Sequence, residues 1–501
     1  MTYQHLKSGT DIRGKAIGSD AALNAATAER IGYAFIKWLE SKGNHQIHVA
    51  IGRDSRISGE AMLNSCAKGM MKGGAHVLRF GLCTTPAMYQ SLHHPSLGLS
   101  ASIMVTASHH PSNRNGFKFF TREQGSISSK MLNEILLTME KVQIPEQDAS
   151  LASIEDYDYL GVYCEDLAAI VRKKLNTDVN CPLLGLHVVV DAGNGAGGFY
   201  ESLLKDLGAW TEGSQFLEPD GLFPNHMPNP EDPIAMRSLS EVVKHVGADI
   251  GVIFDADCDR AAIVDGNGKE INRNRLIALV SAILLDKTPG ITVVTDSVTS
   301  SGLSKFIGEW GGVHYRYKRG YRNVIDEAIR LNHSGINCPL AMETSGHAAF
   351  QENDFIDDGM YLSTLLICES LRYKKEGKSL FSLIDSLEEP VESAEIRLAI
   401  QAEDYHAVGL KVIETVMDHA TYNKEWSIAP DNREGVRINL SLDGGIDNAW
   451  FLLRLSVHDP VLPLNIESDV AGGITLIVKQ LHQVLQGIPD VDLTQLAPYL
   501  Q

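Results

Sequence analysis

The chain has 501 residues, about three times the ~150 of a typical domain, so several hydrophobic cores are expected rather than one. Apolar residues make up 44% and charged residues 21%, the balance of a soluble globular protein, which excludes a fibre and a disordered chain. The 44 Lys and Arg against 63 Asp and Glu give a formal charge of −19, which repels a phosphate backbone and an anionic membrane surface alike and argues against nucleic acid as a partner.

Met1 to Gly14 hold no apolar segment of signal-peptide type, and the longest apolar stretch, around Leu276 to Leu285, is about half a membrane span, so neither export nor insertion is expected. The seven cysteines are scattered without a C-x-x-C pair, which argues against a disulfide framework or a zinc ribbon and for a reducing, cytoplasmic setting. Short β-branched runs at Ile47 to Ile51, Val77 to Phe80, His187 to Val190, Asp249 to Phe254 and Ile291 to Thr295 each end in a polar or Gly-rich turn. Amphipathic stretches such as Ala25 to Glu40, Glu60 to Lys72 and Ser238 to His245 lie between them, which is the rhythm of helix-covered mixed sheets. Seams at Glu146 to Asp158, near Asn272 and at Glu388-Glu389-Pro390 divide the chain into residues 1–153, 154–272, 273–389 and 390–501. The last block, with Gly435 to Leu440, Trp450 to Leu455 and a closing helix near Gly472 to Leu485, reads as a smaller α+β unit.

Two segments carry chemistry. Thr106-Ala107-Ser108-His109-His110-Pro111 follows the apolar run Ile103 to Val105, so Ser108 is presented between a strand end and a proline turn. A serine hydroxyl needs a base or metal to act as a nucleophile, and as a phosphoserine it needs cations, which His109, Lys118 and a metal can supply; alone, the motif also fits a polar surface loop. Asp255-Ala256-Asp257-Cys258-Asp259-Arg260 follows the apolar run Ile250 to Phe254, and three carboxylates at alternate positions call for a hard cation, magnesium first, unless they form a solvated acidic turn. An EF-hand is excluded, because Arg260 stands where that loop needs Gly and Gly266 where it needs Glu. Gly193, Gly195 and Gly198 satisfy the dinucleotide fingerprint, yet neither Glu212 nor Glu218, the acids about 20 residues on, clearly closes a second strand, so an ordinary Gly-rich turn after a strand is the better reading. Arg13, the pair Arg53 and Arg56, and the group Lys318, Arg319 and Arg322 are candidate anion clamps on an otherwise acidic protein.

Taken together these segments resemble the α-D-phosphohexomutase superfamily of phosphoglucomutase, phosphomannomutase and phosphoglucosamine mutase. Ser8 to Gly14 resembles its G-T-D-x-R-G opening, Thr106 to Lys118 its T-A-S-H-N-P and N-G-x-K segments, and Asp255 to Arg260 its D-x-D-x-D-R loop. Met342 to His347 is similar to the sugar loop G-E-x-S-G-H, and Arg454 to Pro460 to the phosphate loop R-x-S-G-T-E-P, in that order along the chain. The resemblance implies four domains around a central cleft, three related α/β domains and a C-terminal α+β domain. It implies a phosphorylated Ser108, with Mg2+ held by Asp255, Asp257 and Asp259 beside it, and Arg13, His109 and Lys118 as charge stabilisers or proton shuttles. Glu343, Ser345 and His347 would meet sugar hydroxyls, and Arg260, Arg322, Arg454, Ser456 and His458 would contact the substrate and its phosphates. The implied reaction interconverts hexose 1-phosphate and 6-phosphate through a hexose 1,6-bisphosphate that is intermediate and activator, in a monomer or small homo-oligomer. His110 replaces the family's Asn, Met342 its Gly, and Val457 and His458 stand where Gly or Asn and Thr are usual. A weakened phosphate grip at those last two positions would make the bisphosphate a released product, and loss of the chemistry altogether would leave a sugar-phosphate sensor.

Overall fold

The computed structural model describes residues 2–147, 152–456 and 459–500 and divides the chain into two compact units, residues 1–276 with 345–382 and residues 277–344 with 383–501. The first begins with an eight-stranded mixed sheet in the order Lys7–Ser8, Asp11–Lys15, Arg114–Thr121, Ala101–Val105, His48–Arg53, His76–Leu82 and Ser153–Asp156, with Gly125–Ser126 on Arg114–Thr121. Ala101–Val105 is buried at every residue, as a strand covered on both faces must be. It runs parallel to His48–Arg53 and antiparallel to Arg114–Thr121, so residues 106–113 connect two adjacent strand ends. The helices Ala25–Ser41 and Gly59–Lys72 press together through glycines: a Cβ on Gly32 would lie 2.1 Å from the Cys66 carbonyl oxygen, and one on Gly69 1.9 Å from that of Glu29. Phe35, Trp38, Ile103, Phe117 and Phe119 fill the core beneath them.

The second sheet of this unit orders Glu270–Ile271, Ala261–Asp265, Ile250–Phe254 and Val188–Asp191. The expected apolar run pairs parallel to Val188–Asp191 and then turns straight back, antiparallel, into Ala261–Asp265. Residues 255–260 are thus the turn of a β-hairpin, a return strand not evident from the sequence, whose tightness is met by Cys258 at φ 65°. The helix Pro233–Val246 starts five residues before the amphipathic pattern suggested, because Asp232 caps it by accepting the N–H groups of Ile234 and Ala235.

The glycine run after Val188–Asp191 serves this hairpin turn. A Cβ on Gly195 would fall 2.8 Å from Ala256 Cα, one on Gly197 2.9 Å from Cys258 Sγ, and one on Gly198 1.9 Å from the Leu217 carbonyl oxygen. Ala196 donates its N–H to the Ala256 carbonyl oxygen at 2.8 Å. On the other side, Gly359 begins the buried helix Gly359–Lys375, donates its N–H to the Cys258 carbonyl oxygen and would set a Cβ 2.6 Å from the Arg260 carbonyl. The glycines permit backbone to pack on backbone, and the acidic turn is clamped from both sides.

In the second unit the strands Val313–Arg316, Thr292–Thr295 and Leu340–Met342 pair in parallel. The C-terminal domain is a six-stranded antiparallel sheet, ordered Trp426–Ile428, Val436–Leu440, Ala449–Leu453, Val461–Ser468, Glu392–Ile400 and Val491–Asp492, whose core is closed by the helices Tyr405–Tyr422 and Gly473–Leu485. The strands expected at 435–440 and 450–455 and the closing helix are all present. The fold is therefore three α/β domains and a C-terminal α+β domain. Among the described residues no helix is long and apolar enough to cross a membrane.

The packing of the glycine run is testable. Gly198→Ala forces a methyl against backbone and should lower the thermal midpoint sharply, by about 1–3 kcal/mol of stability or more. Gly308→Ala, on a helix with no atom within 4 Å of the new Cβ, should be neutral or stabilising by about 0.5–1 kcal/mol. Equal effects in thermal melts would refute this reading of the run.

Candidate active site

Ser108 stands at φ 50°, a left-handed conformation that disfavours a side chain and persists only where the surroundings over-determine it. The surroundings are Arg56 and Asp54. Arg56, 1% exposed, donates through Nη2 to the carbonyl oxygens of Ser108 (2.5 Å) and His110 (2.6 Å), and through Nη1 to those of Pro111 (2.7 Å) and Arg114 (3.1 Å). Its Nε and backbone N–H both donate to Asp54. Asp54 also accepts the Thr106 hydroxyl at 2.7 Å, and the Thr106 oxygen in turn accepts the Ser108 N–H at 2.9 Å. Arg56, a candidate anion clamp in the sequence, is instead salt-bridged to Asp54, and its remaining guanidinium donors go to backbone carbonyls. Arg13 supports the loop from the far side, donating to the Ala107 carbonyl oxygen (2.7 Å) and to Asp11 (2.9 Å).

The Ser108 hydroxyl donates to Asp255 Oδ2 at 2.7 Å and accepts from Arg260 Nη2 at 3.1 Å. Arg260 Nε also donates to Asp255 Oδ2 at 3.0 Å, and its Nη1 reaches Asn229 and Glu231. Carboxylate oxygens of Asp255, Asp257 and Asp259 lie within 4.8 Å of one another, all buried. Lys118 donates to Asp257 Oδ2 at 2.7 Å and to Asp259 Oδ2, and Thr85 donates to Asp257 Oδ2 at 2.5 Å. Asp257 Oδ1 and Asp259 Oδ1 are buried without a hydrogen-bond partner among the described residues. Orphaned carboxylate oxygens facing one another are costly in a protein interior, and a hard divalent cation with oxygen ligands is the group that satisfies them, so the donor set fits Mg2+.

Burial raises the pKa of Asp255, and its acidic neighbours add to this against Arg260. Burial acts in the same sense on Asp259, but Lys118 and Arg260 outweigh it and hold this carboxyl below its ordinary value. Lys118 is lowered by burial yet raised overall by Asp257 and Asp259, so it remains a cation. Three carboxylates against Lys118 and Arg260 leave one excess negative charge when all are ionised, a balance that suits an added cation. His109, with Nδ1 3.3 Å from Ser108 Oγ, is held far below the usual imidazole range by burial and then by Arg260. His110 stacks on it with ring centroids 5.0 Å apart and is lowered to about 3, again by burial first. His347 is lowered by burial, Arg260 and Lys118; its Nδ1 meets Ser345 Oγ at 2.8 Å and its Nε2 lies 3.8 Å from Asp259. Both His109 and His347 are therefore neutral near pH 7.

The second unit gathers another set. Glu343 is buried and accepts the Gly320 N–H at 2.6 Å; burial, and next Asp296, push its carboxyl up to about 8. Asp296 accepts the Thr344 hydroxyl at 2.8 Å and lies 4.0 Å from Arg319. Glu434, from the C-terminal domain, accepts the Arg319 N–H (3.1 Å) and the Ser297 hydroxyl (2.5 Å), fixing the loop that supplies Gly320. Arg454 Nε is buried without a partner among the described residues, and Ser456 accepts the Asp459 N–H at 3.3 Å. Arg322 pairs with Asp326 one turn along its own helix at 2.9 Å. His458 and its neighbour Val457 lie outside the described residues.

Ser108, His109, Lys118, Arg13, the three aspartates, Arg260, Ser345 and His347 thus belong to the first unit, and Glu343, Arg322, Arg454 and Ser456 to the second. Asp54, Thr85, Asn229 and Glu434 were not singled out by sequence reasoning, and Thr106 entered only as the first residue of the serine motif; the Asp54-x-Arg56 spacing carried the signal of a local ion pair.

Family profiles described as phosphoglucomutase/phosphomannomutase alpha/beta/alpha domains I, II and III match residues 5–145, 162–268 and 272–391. A phosphomannomutase/phosphoglucomutase of Pseudomonas syringae pv. tomato is 30% identical over 96% of both chains, as is a phosphoglucomutase of Neisseria gonorrhoeae. A phosphomannomutase of Salmonella montevideo is 31% identical over 95% of this chain and 97% of its own. The crystal structure of a phosphoglucomutase/phosphomannomutase family protein from Burkholderia thailandensis superposes with a TM-score of 0.79 at 27% identity, covering 97% of this chain and 98% of that one. Profiles, relatives and structure agree, and the chain belongs to the phosphoglucomutase/phosphomannomutase family of the α-D-phosphohexomutase superfamily.

Proposed function

We propose that this phosphohexomutase interconverts hexose 1-phosphate and 6-phosphate through a phosphorylated Ser108 and a hexose 1,6-bisphosphate. The observation that carries the reading is the position of Ser108 Oγ, 2.7 Å from a carboxylate of the acidic cluster and 3.1 Å from the buried Arg260 guanidinium. Phosphoryl transfer asks little of a protein beyond in-line positioning and cations around the equatorial oxygens, and this oxygen has the buried Arg260 guanidinium at hand. Asp255, Asp257 and Asp259, with an oxygen on Ser108, would hold Mg2+, which supplies double positive charge next to the transferring group.

In the forward half-reaction a hydroxyl of the hexose monophosphate attacks the phosphorus on Ser108. The new O–P bond forms as the P–Oγ bond breaks, Arg260 stabilises the departing Oγ, and the hydroxyl proton passes to that Oγ through His109 or His347, whose affinity for a proton rises beside a dianionic group. In the return half-reaction the bond between the other phosphate and its sugar oxygen breaks as a P–Oγ bond forms, and the Oγ proton, with His109 at 3.3 Å, passes to the sugar oxygen left behind. Lys118 and Arg13 balance the dianionic group. Glu343, Ser345 and His347 would orient the sugar, and Arg454, Ser456, Arg322 and His458 its distal phosphate, Arg454 Nε being a buried donor without a partner among the described residues. A binding protein without catalysis has no use for a nucleophile held against an acidic cluster, which disfavours the sensor.

Ser108→Ala should lower turnover at least 10³-fold and abolish phosphate uptake from a hexose 1,6-bisphosphate, read by intact mass, while the thermal midpoint stays near the parent's. Retained turnover would remove Ser108 from the mechanism. Asp257→Asn keeps the volume but deletes one ligand charge, so half-maximal activity should need at least roughly tenfold more Mg2+. An unchanged Mg2+ titration would place the ion elsewhere. Glu343 offers a pH test: folding takes up a proton there, because the carboxyl rises from an ordinary 4.5 to about 8 on burial. Its contribution to stability is therefore lost as the pH climbs through that window. Glu343→Gln, neutral throughout, should match the parent's thermal midpoint near pH 5 and exceed it above pH 8; a constant difference would mean that Glu343 is ionised in the folded protein.

A further inference from the structure

The arrangement around Ser108 leaves one buried assembly that the chemistry does not use directly. Asp54 is fully buried and receives three donors: the Arg56 N–H and the Thr106 hydroxyl at 3.0 and 2.7 Å, and Arg56 Nε at 3.1 Å. Because the Thr106 hydroxyl gives its proton to Asp54, its oxygen is turned toward Ser108 as an acceptor, and it takes the Ser108 N–H at 2.9 Å. Arg56 takes the Ser108 carbonyl oxygen. Both peptide groups of a residue in an unfavourable backbone conformation are thus tied to one ion pair, while the side-chain oxygen is left to Asp255 and Arg260. Behind the pair, Gly221 admits the backbone of Ser55 to Ile57, its would-be Cβ lying 2.4 Å from Ile57 N, and Phe223 lies under the Arg56 guanidinium at 5.1 Å. None of these groups hydrogen-bonds to the cluster of carboxylates; Asp54 and Arg56 feel the charge of Asp257 at longer range, and the uncharged Thr106 isolates the route through Ser108.

We infer that Asp54, Arg56 and Thr106 are positioning residues whose hydrogen-bond relay, from Asp54 through the Thr106 hydroxyl to the Ser108 N–H and from Arg56 to the Ser108 carbonyl, sets the attack direction of Ser108 Oγ. The inference rests on Ser108 as the phosphoryl acceptor. Arg56 does two things that lysine cannot: its planar fork reaches four carbonyls of one loop while pairing with Asp54. Thr106→Val preserves the shape and removes the relay. Asp54→Asn offers one acceptor oxygen where three donors converge, so the Thr106 hydroxyl loses its fixed direction. A misplacement of the nucleophile by a fraction of an ångström to an ångström costs up to about 10²-fold in rate without touching ground-state binding.

The test follows the single-turnover phosphorylation of the full chain by glucose 1,6-bisphosphate with Mg2+, sampled by intact mass and located by peptide mass. The parent should take up one phosphate on Ser108, and Ser108→Ala none; if either fails, the acceptor assignment falls and the inference with it. With the parent behaving so, Thr106→Val should phosphorylate about 100-fold more slowly yet reach one phosphate per chain, with the donor concentration for half-maximal rate within about twofold of the parent. Thr106→Ser, which restores the hydroxyl, should return to within about threefold of the parent rate. Asp54→Asn should slow phosphorylation by about tenfold or more and serves in place of Thr106→Val if that variant does not fold. A parent-like rate in the hydroxyl-free variant overturns the inference. So does a lowered final extent with the remaining fraction reacting at the parent rate, which is the signature of a merely structural role.

Discussion

One buried guanidinium underlies the geometry of this protein's chemistry. Arg56 lies 1% exposed, and the usual rule is that a buried charge is paired. Its pairing with Asp54 meets that rule, but the pair also has further donors to place, and it places them on the carbonyl oxygens of residues 108, 110, 111 and 114. Breaking such a pair by removing one partner costs about 3–5 kcal/mol, so the loop inherits its rigidity from an interaction that the fold cannot easily lose. The left-handed conformation of Ser108 is sustained by that rigidity.

The acidic turn is fixed by a different means. Three carboxylates and a tight hairpin are not intrinsically compatible, because the charges repel and the backbone is crowded. Here the crowding is solved by glycines at 195, 197 and 359 that let neighbouring backbone close on residues 256–260, and the repulsion by Lys118 and Arg260. The cations are in turn buried, so neither set of charges is stable without the other. Two loops from two sheets of the same unit thereby meet at a single oxygen, Ser108 Oγ.

Most of the architecture was legible in the sequence, since the β-branched runs, the amphipathic helices and the smaller C-terminal domain follow from periodicity and turn chemistry. The return strand Ala261–Asp265 was not, because a fully buried strand lacks the alternation that marks a half-buried one. In the candidate site, alternate carboxylates after an apolar run signalled a need for cations, and the structure brings Lys118 and Ser108 against them. Arg56 was seen as a cation but not as the anchor of the loop: sequence reports that a guanidinium is present, not whether it points at solvent or at four carbonyls. Thr106 and Glu434 were invisible as loop supports because their partners are distant in sequence or belong to the backbone. The glycine run was visible in the sequence, but its part in packing the acidic turn emerged only once the residues it abuts were known.

The way Arg56 distributes its hydrogen bonds has a kinetic side. The carbonyls of residues 108, 110, 111 and 114 share one anchor, so none of these four can swing out without giving up a bond to the same guanidinium. The segment opens as one cooperative unit or stays shut, and amide hydrogen exchange across it should report a common opening free energy rather than the graded fraying of an ordinary surface loop.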